Sequence, residues 1–439
     1  MQDRIKRKLE KLLPKSGMGK GIATMAGGSA IGQLASVLAT PILSRLFTRP
    51  EMGLLNTYTS IISNLAIISG GRYEQAVPIA ETDEEAAGAL GAAVLITFAL
   101  AALSSLVLFL WGLPLLREIK AEGIYPFCWV IPVGLLAQGL NLNISYWATR
   151  RRAFTSLGVR RASIGLFTVL FQMGAGALQY GAAGLLLGFG LGQGAGVGTL
   201  FRNAWKEDSP IFRSITLSSI VAAMKRYSKF PMLSVPAAFT NSLALNIPAI
   251  LMGTYYGQAA NGDLGQAMRI MAFPVSLVGA AVGQAFLGTA PELLRDSPKE
   301  ALALFNRLTR KLAKMSLAIV ALGIVLIWLT PIILGAKWVE AGPYMGLLGF
   351  AAACQFVTSP ISQITTILER QDLQLIGDVL RSGLIALAFW GTHRLGATPL
   401  VAVTVYSATM VITYLAFFAM YRWLLADAVK RRLSELESA

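Results

Sequence analysis

Arg269 is the most expensive side chain in this sequence. It lies in NGDLGQAMRIMAFPVSLVG, about six residues inside a run long and apolar enough to cross a bilayer, some 9 Å along a helix axis at about 1.5 Å per residue. A charge near the membrane centre costs at least ~2.5 kcal/mol and is rarely kept without a task. A guanidinium facing a polar cavity favours an anion, phosphate above all, which it clasps with two parallel hydrogen bonds. The competing readings are a structural pair, for which Asp263 at i−6 is badly placed, and snorkelling to the outer interface.

Other polar residues fall in stripes. The first span carries Ser29, Gln33, Ser36, Thr40 and Ser44, and the second Asn56, Ser60 and Asn64. The fourth carries Gln138, Asn141 and Ser145, the tenth Gln355, Ser359, Ser362 and Thr366, and the seventh offers Asn241. Steps of three and four put each set on one helix face. A single stripe amounts to interhelical hydrogen bonding, worth about 0.6 kcal/mol per contact. Stripes in several spans suggest a shared hydrated cavity. Arg45, with Arg49, either guides an anion at the outer mouth or anchors the interface. Asp378 and Arg381, at i, i+3, either pair locally or take part in ion coupling.

Enzyme chemistry finds little support. There is no HExxH, GxSxG or P-loop, and no metal-ligand or cofactor motif. The one histidine, His393, reads as a solvated loop residue beside Arg394. Gly190, Gly192 and Ala195 imitate a dinucleotide fingerprint but follow no strand; the regularity there is Gly184, Gly188, Gly192 and Gly196, at steps of four, which permits close helix packing and easy bending. Cys128 and Cys354 lie far apart in apolar runs and suggest no disulfide framework.

The elements that must position these residues are membrane spans. Of 439 residues 55% are hydrophobic and 14% charged, with a mean hydropathy of +0.60, whereas a soluble domain carries about 25% charged residues. The expected fold is an all-α polytopic membrane protein, with about twelve transmembrane helices in two six-helix lobes around a central cavity. The organisation expected is a basic cytoplasmic segment at 1–20, an N-lobe at 21–201, a linker at 202–229, a C-lobe at 230–424 and a cytoplasmic tail at 425–439. Within the linker, Ile215, Ile220, Val221 and Met224 suggest a helix lying along the membrane surface. Lys and Arg gather at Arg4, Lys6, Arg7 and Lys8, at Arg150–Arg152, Arg160 and Arg161, and near Arg226, Arg310 and Arg431, which places both termini in the cytoplasm. The net charge of +15 follows from this rule and not from nucleic-acid binding. GGRYEQAVPIAETDEEA becomes the first inner loop, with Thr82 and Glu85 as a capping box.

The halves resemble each other. Gln138, Ser145, Arg152, Leu157 and Gly165 can be laid on Gln355, Ser362, Arg370, Leu375 and Gly383, and PILSRLFTRPEMG on PAILMGTYYGQAANG. With an even number of spans per half, the repeat keeps one orientation in the membrane.

PILSRLFTRPEMGLLNTYTSI followed by GGRYEQAVPIAETDEEA closely resembles the start of bacterial oligosaccharide flippases, the polysaccharide-biosynthesis branch of the multidrug/oligosaccharidyl-lipid/polysaccharide exporter superfamily. Arg72, Tyr73 and Glu74 with the acids Asp83–Glu85 are the most family-like elements. A second resemblance is to lipid II flippases, whose eighth span has an arginine shortly before Phe-Pro, as Arg269 precedes Phe273 and Pro274; unlike theirs, the first span here has no arginine before Arg45. What the resemblance implies is alternating-access translocation of undecaprenyl-pyrophosphate-linked oligosaccharide across the bacterial inner membrane, without a cofactor. Membrane lipids, a polymerase and chain-length regulators are the partners it implies. Arg269 would hold pyrophosphate, the stripes would accommodate sugar, and Arg72, Tyr73 and Glu74 would shape the cytoplasmic gate. The alternatives are a multidrug or cation antiporter, which expects acids in the cavity, and a polysaccharide polymerase or ligase, which expects a large outer loop.

Overall fold

The computed structural model describes residues 17–438, which form helices and turns and no strand. Arg4, Lys6, Arg7 and Lys8, and with them most of the expected basic segment, lie outside the described residues. The helices of the first half are α1 (Gly17–Leu46), α2 (Arg49–Ala66), α3 (Asp83–Glu118), α4 (Val130–Arg150), α5 (Phe154–Ala177), α6 (Gly181–Gly194), α7 (Val197–Arg213) and α8 (Leu217–Arg226). The second half follows with α9 (Val235–Tyr256), α10 (Gln258–Asp296), α11 (Pro298–Leu334), α12 (Ala341–Ile361), the short α13 (Gln363–Ile367), α14 (Gln371–Arg394) and α15 (Pro399–Ser438).

Nine stretches of the described residues are long and apolar enough to cross a membrane: α3, α5, α6 with α7, α9 with the turn before it, α10, α11, α12 with α13, α14 and α15. The chain is a multi-pass membrane protein. The other three expected spans fall on α1, α2 and α4, of 30, 18 and 21 residues. These helices carry three of the polar stripes, which lower their hydropathy. The sixth expected span is broken, since Gly196 takes φ 83° between α6 and α7. Before that break, α6 presses on α5 through its glycines: a Cβ on Gly192 would lie 2.0 Å from Thr168 Oγ1.

The chain divides into two compact units, one of the residues up to Ala39, Tyr58–Glu118 and Glu122–Ser242, the other of Thr40–Thr57, Ile119–Ala121 and the residues from Leu243 onward. The segment 202–229, expected to join two lobes, thus falls wholly within the first unit, and residues 40–57 fall in the second. Hydrogen bonds explain the second assignment. Ser44 Oγ donates to the Leu334 carbonyl at 2.9 Å, Trp338 Nε1 to that of Ser44 at 2.8 Å, and Lys337 Nζ to that of Phe47 at 2.8 Å. Next to them, α2 and α10 cross reciprocally near their starts. A Cβ on Gly53 would lie 1.8 Å from the Gln258 carbonyl oxygen, and one on Gly262 2.1 Å from that of Arg49. These are the two segments whose sequences resemble each other.

In the first unit three acids of AETDEEA, Glu81, Asp83 and Glu85, are bound by arginines. Arg150 Nη2 lies 2.9 Å from Asp83, Arg151 Nη2 bridges Asp83 at 2.9 Å and Asp208 at 2.7 Å, and Arg226 reaches Glu81 at 2.7 Å and Glu85 at 3.1 Å. The Thr82 hydroxyl accepts from the Glu85 N–H at 3.2 Å, but the Glu85 carboxylate takes the N–H of Glu81, so the capping box is half formed. Ile215, Ile220 and Met224 pack on α3 residues instead of lying open, while Leu217 and Val221 of α8 stay exposed.

The repeat is visible as two matching turns. After α4 the chain turns through Arg152 (φ 54°), and Ala153 N donates to the Ala148 carbonyl at 2.8 Å; after α13 it turns through Glu369 (φ 55°), and Arg370 N donates to Thr365 at 2.8 Å. The turns at Gln179 and Gly396 match likewise, and the two intervals are equal. This register retains the pairs Gln138–Gln355 and Ser145–Ser362. It moves Arg152 from Arg370 onto Glu369, and the following pairs shift by one residue with it.

Candidate functional site

Arg269 lies about 16 Å along α10 from its first residue, deeper than expected because the helix begins at Gln258. It is half-buried, no charged side chain acts on it, and among the described residues it makes no ion pair or hydrogen bond. One turn earlier on the same face, Gln266 is 2% exposed, and neither its Nε2 nor its Oε1 has a partner. Each such unmade bond costs about 1–3 kcal/mol in a buried setting. A cation and an amide, both unsatisfied, are chemically suited to a ligand that brings anionic oxygens and hydroxyls.

Asp263 is not available to that arginine. Arg49 holds it, with Nη2 at 2.5 Å from Oδ2 and Nε at 3.2 and 3.1 Å from the two oxygens, and also contacts Glu340. Asn56 Nδ2 donates to Asn261 Oδ1 at 2.8 Å, and Asn261 Nδ2 to Thr57 Oγ1 at 2.9 Å. Arg45 is exposed and donates to the carbonyls of Pro41 and Ile332, both at 3.3 Å. Asp378 is buried against Arg381 at 3.0 Å and accepts from Gln374 Nε2 at 3.3 Å. The exposed His393 stacks on Tyr255 at a centroid distance of 4.7 Å, which its sequence surroundings gave no sign of.

The remaining candidates belong to the first unit. Ser29 Oγ donates to the Met25 carbonyl at 3.0 Å and accepts from Arg161 Nη1 at 2.8 Å. The arginine that the first span lacks is therefore supplied to its polar face by α5. Gln33 and Asn241 are exposed, Ser36 is half-buried, and Ser60 is buried, its carbonyl accepting from Asn64 Nδ2 at 2.9 Å. On α4 the side-chain oxygens of Gln138 and Asn141 have no partner, while Arg160 Nη1 donates to the Asn141 carbonyl at 3.1 Å. Arg160 and Arg161, counted in the sequence among the basic inner residues, lie six and seven residues into α5.

Arg72 opens a 3-10 turn, Tyr73–Ala76, with φ 63°. Its Nη1 lies 3.8 Å from Glu74 Oε1, Glu74 is fully buried, and the Tyr73 hydroxyl donates to the Met224 carbonyl at 3.2 Å. Burial pushes the Glu74 carboxyl above its usual range, opposed by its own backbone N–H and by Arg72.

The profile of the family described as polysaccharide biosynthesis protein matches residues 42–343, which take in the Arg72–Glu74 turn, the α2–α10 crossing and Arg269. The chain belongs to this family. Over 216 residues it is 27% identical to the teichuronic acid biosynthesis protein TuaB of Bacillus subtilis (strain 168), a match covering 48% of this chain and 43% of that protein, so the chain spans under half the length of that curated relative. Among solved structures it is similar to the lipid II flippase MurJ in an inward closed conformation, with a TM-score of 0.67, 12% identity, and 93% and 91% of the two chains covered. It is also similar to an inward-facing multidrug resistance MATE family transporter of the MOP superfamily, with a TM-score of 0.60, 13% identity, and 92% and 94% covered. At that identity the likeness establishes the fold: this member of the polysaccharide biosynthesis family is built as those transporters are.

Proposed function

We propose that the protein is a carrier and not an enzyme. It translocates lipid-linked oligosaccharide units, on an undecaprenyl-pyrophosphate carrier, from the cytoplasmic to the outer face of the bacterial inner membrane for surface polysaccharide assembly. The observation that carries this reading is Arg269, an arginine without a counter-ion well inside a membrane-length helix, beside the unsatisfied amide of Gln266. A pyrophosphate offers the paired oxygens that a guanidinium takes two at a time. Gln33 and Asn241, which are exposed, and Ser29 and Ser36, which are half-buried, face sugar hydroxyls in this reading, whereas Ser60 is buried and serves packing; both termini lie in the cytoplasm. The family assignment supports it, as do two names: one relative serves teichuronic acid biosynthesis and one structural neighbour is a lipid II flippase. A cation exporter is the weaker reading, because Asp263 and Asp378 are each engaged by an arginine.

A strain lacking the gene tests the proposal. Lipid-linked repeat units are expected to accumulate while surface polymer is lost, and wild-type protein is expected to restore both. Arg269→Gln, at wild-type membrane levels, is expected to reduce turnover at least tenfold, the loss of about 1.4 kcal/mol of binding or more. Undiminished turnover would sink the role of Arg269, and unchanged lipid intermediates would sink the transport reading itself.

A further inference from the structure

We propose that Glu74 and Asn143 form a buried proton-binding site in the first unit, at which a neutral Glu74 carboxyl donates its hydrogen to the Asn143 side-chain oxygen. Glu74 is 0% and Asn143 1% exposed. Neither Glu74 oxygen has a hydrogen-bond partner outside its own residue, nor has Asn143 Oδ1. Gly70 brings them together: a Cβ built on it would lie 2.4 Å from Glu74 Oε2 and 2.8 Å from Asn143 Oδ1, so both oxygens face one point in space.

The direction of the Asn143 amide follows from its neighbours. The Thr97 hydroxyl donates to the Ala93 carbonyl at 2.8 Å, which leaves its oxygen only to accept, and Asn143 Nδ2 donates to it at 3.0 Å. The amide oxygen is therefore the atom turned to Glu74. Two acceptors in a dry place repel each other when the carboxyl is ionised and attract when one hydrogen stands between them.

Arg72 is the charged group that acts on Glu74. Its Nη1 stands 3.8 Å from Oε1, beyond hydrogen-bond length. The helices packed on the segment present uncharged Thr97 from α3 and Asn143 from α4, and the π turn Phe230–Ser234 carries no titratable side chain. On α8, Arg226 is engaged by Glu81 and Glu85 and Lys225 is exposed, while the nearby Tyr227 hydroxyl donates to Glu85 at 3.3 Å. Gly71 and Arg72 take φ 58° and 63° in succession, a left-handed pair that shapes the turn before Glu74. The carboxyl thus has two partners for two charge states: neutral, it bonds Asn143; ionised, it draws Arg72 in. The charge carried by the link between α2 and α3 becomes a function of proton supply. This inference does not depend on the identity of the transported molecule.

Infrared spectroscopy of the full-length purified protein, titrated with pH, reads the carbonyl stretch of the protonated carboxyl. A band lost in Glu74→Gln is expected, with a midpoint above the ~4.3 of free glutamate. Arg72→Gln, which removes the opposing cation, is expected to raise that midpoint by about one pH unit, and Asn143→Leu, which removes the acceptor, to lower it by a similar amount. Both shifts are read on the wild-type carboxyl, so the assignment survives if Glu74→Gln fails to fold. A midpoint at or below that of free glutamate, or one indifferent to both variants, overturns the proposal. A band abolished by sodium chloride but not by choline chloride at one pH assigns a metal cation instead and overturns it as well.

Discussion

At the scale of single residues, the groups that matter are those whose bonding is incomplete. Glu74 has a folded-state pKa raised above that of the unfolded chain, chiefly by burial. For such an acid, the stabilising contribution is fully present below the unfolded pKa and is lost as pH rises through the folded one. Glu74→Gln is therefore expected to leave thermal stability in detergent unchanged at acid pH, to raise it progressively as pH climbs from the unfolded value to the folded one, and to hold a constant advantage above that. A difference independent of pH would contradict the assigned direction. Arg269 was legible in the sequence because its type conflicts with its surroundings. Gln266 and Asn143 were not, since a buried amide with no partner looks like any other amide until the tertiary neighbours are known. Asp263 was read correctly as no partner for Arg269, but its actual partner was not legible for the same reason: Arg49 is 214 positions away.

At the scale of helices, apolar runs and turn residues located the nine stretches of membrane length among the described residues, while three of the four polar stripes fall on α1, α2 and α4, which are not among those nine. The tertiary use of α8 was not legible. Its alternation of apolar and polar residues fits a membrane surface as well as a protein surface, and nothing in the sequence signals that Ile215 and Ile220 lie against Gly91 of α3. The crossing of α2 and α10 was visible only as a faint likeness between two segments. It carries a strict steric demand, for a Cβ at Gly262 would meet backbone and not a side chain able to move aside. Gly262→Ala is expected to destabilise by about 1–3 kcal/mol as the helices are forced apart. Thermal unfolding of the purified variant checks this; an unchanged midpoint would mean the crossing yields more easily than the backbone contact implies.

For the whole molecule, composition was enough to establish a helical, multi-pass membrane protein, and the motifs of residues 35–90 were enough for the family. What eluded the sequence was the grouping of residues 40–57 with the second unit, which rests on backbone carbonyls of residues 44–47 and on Arg49, features without a sequence signature. A fragment of residues 243–439 expressed alone is expected to be degraded rapidly in the membrane, and co-expression of residues 17–66 to protect it. Equal lifetimes with and without that segment, measured by pulse-chase, would show the second unit to be self-sufficient.

The matching turns have a bearing on how any variant of this protein is interpreted. Arg152 and Glu369 hold the same backbone shape with side chains of opposite charge, and Gln179 holds the shape that glycine holds at position 396. Each turn thus comes with a twin in the same polypeptide, sharing its geometry but not its chemistry. The same substitution made at both members separates what the bend requires from what that half of the molecule has since been recruited to do.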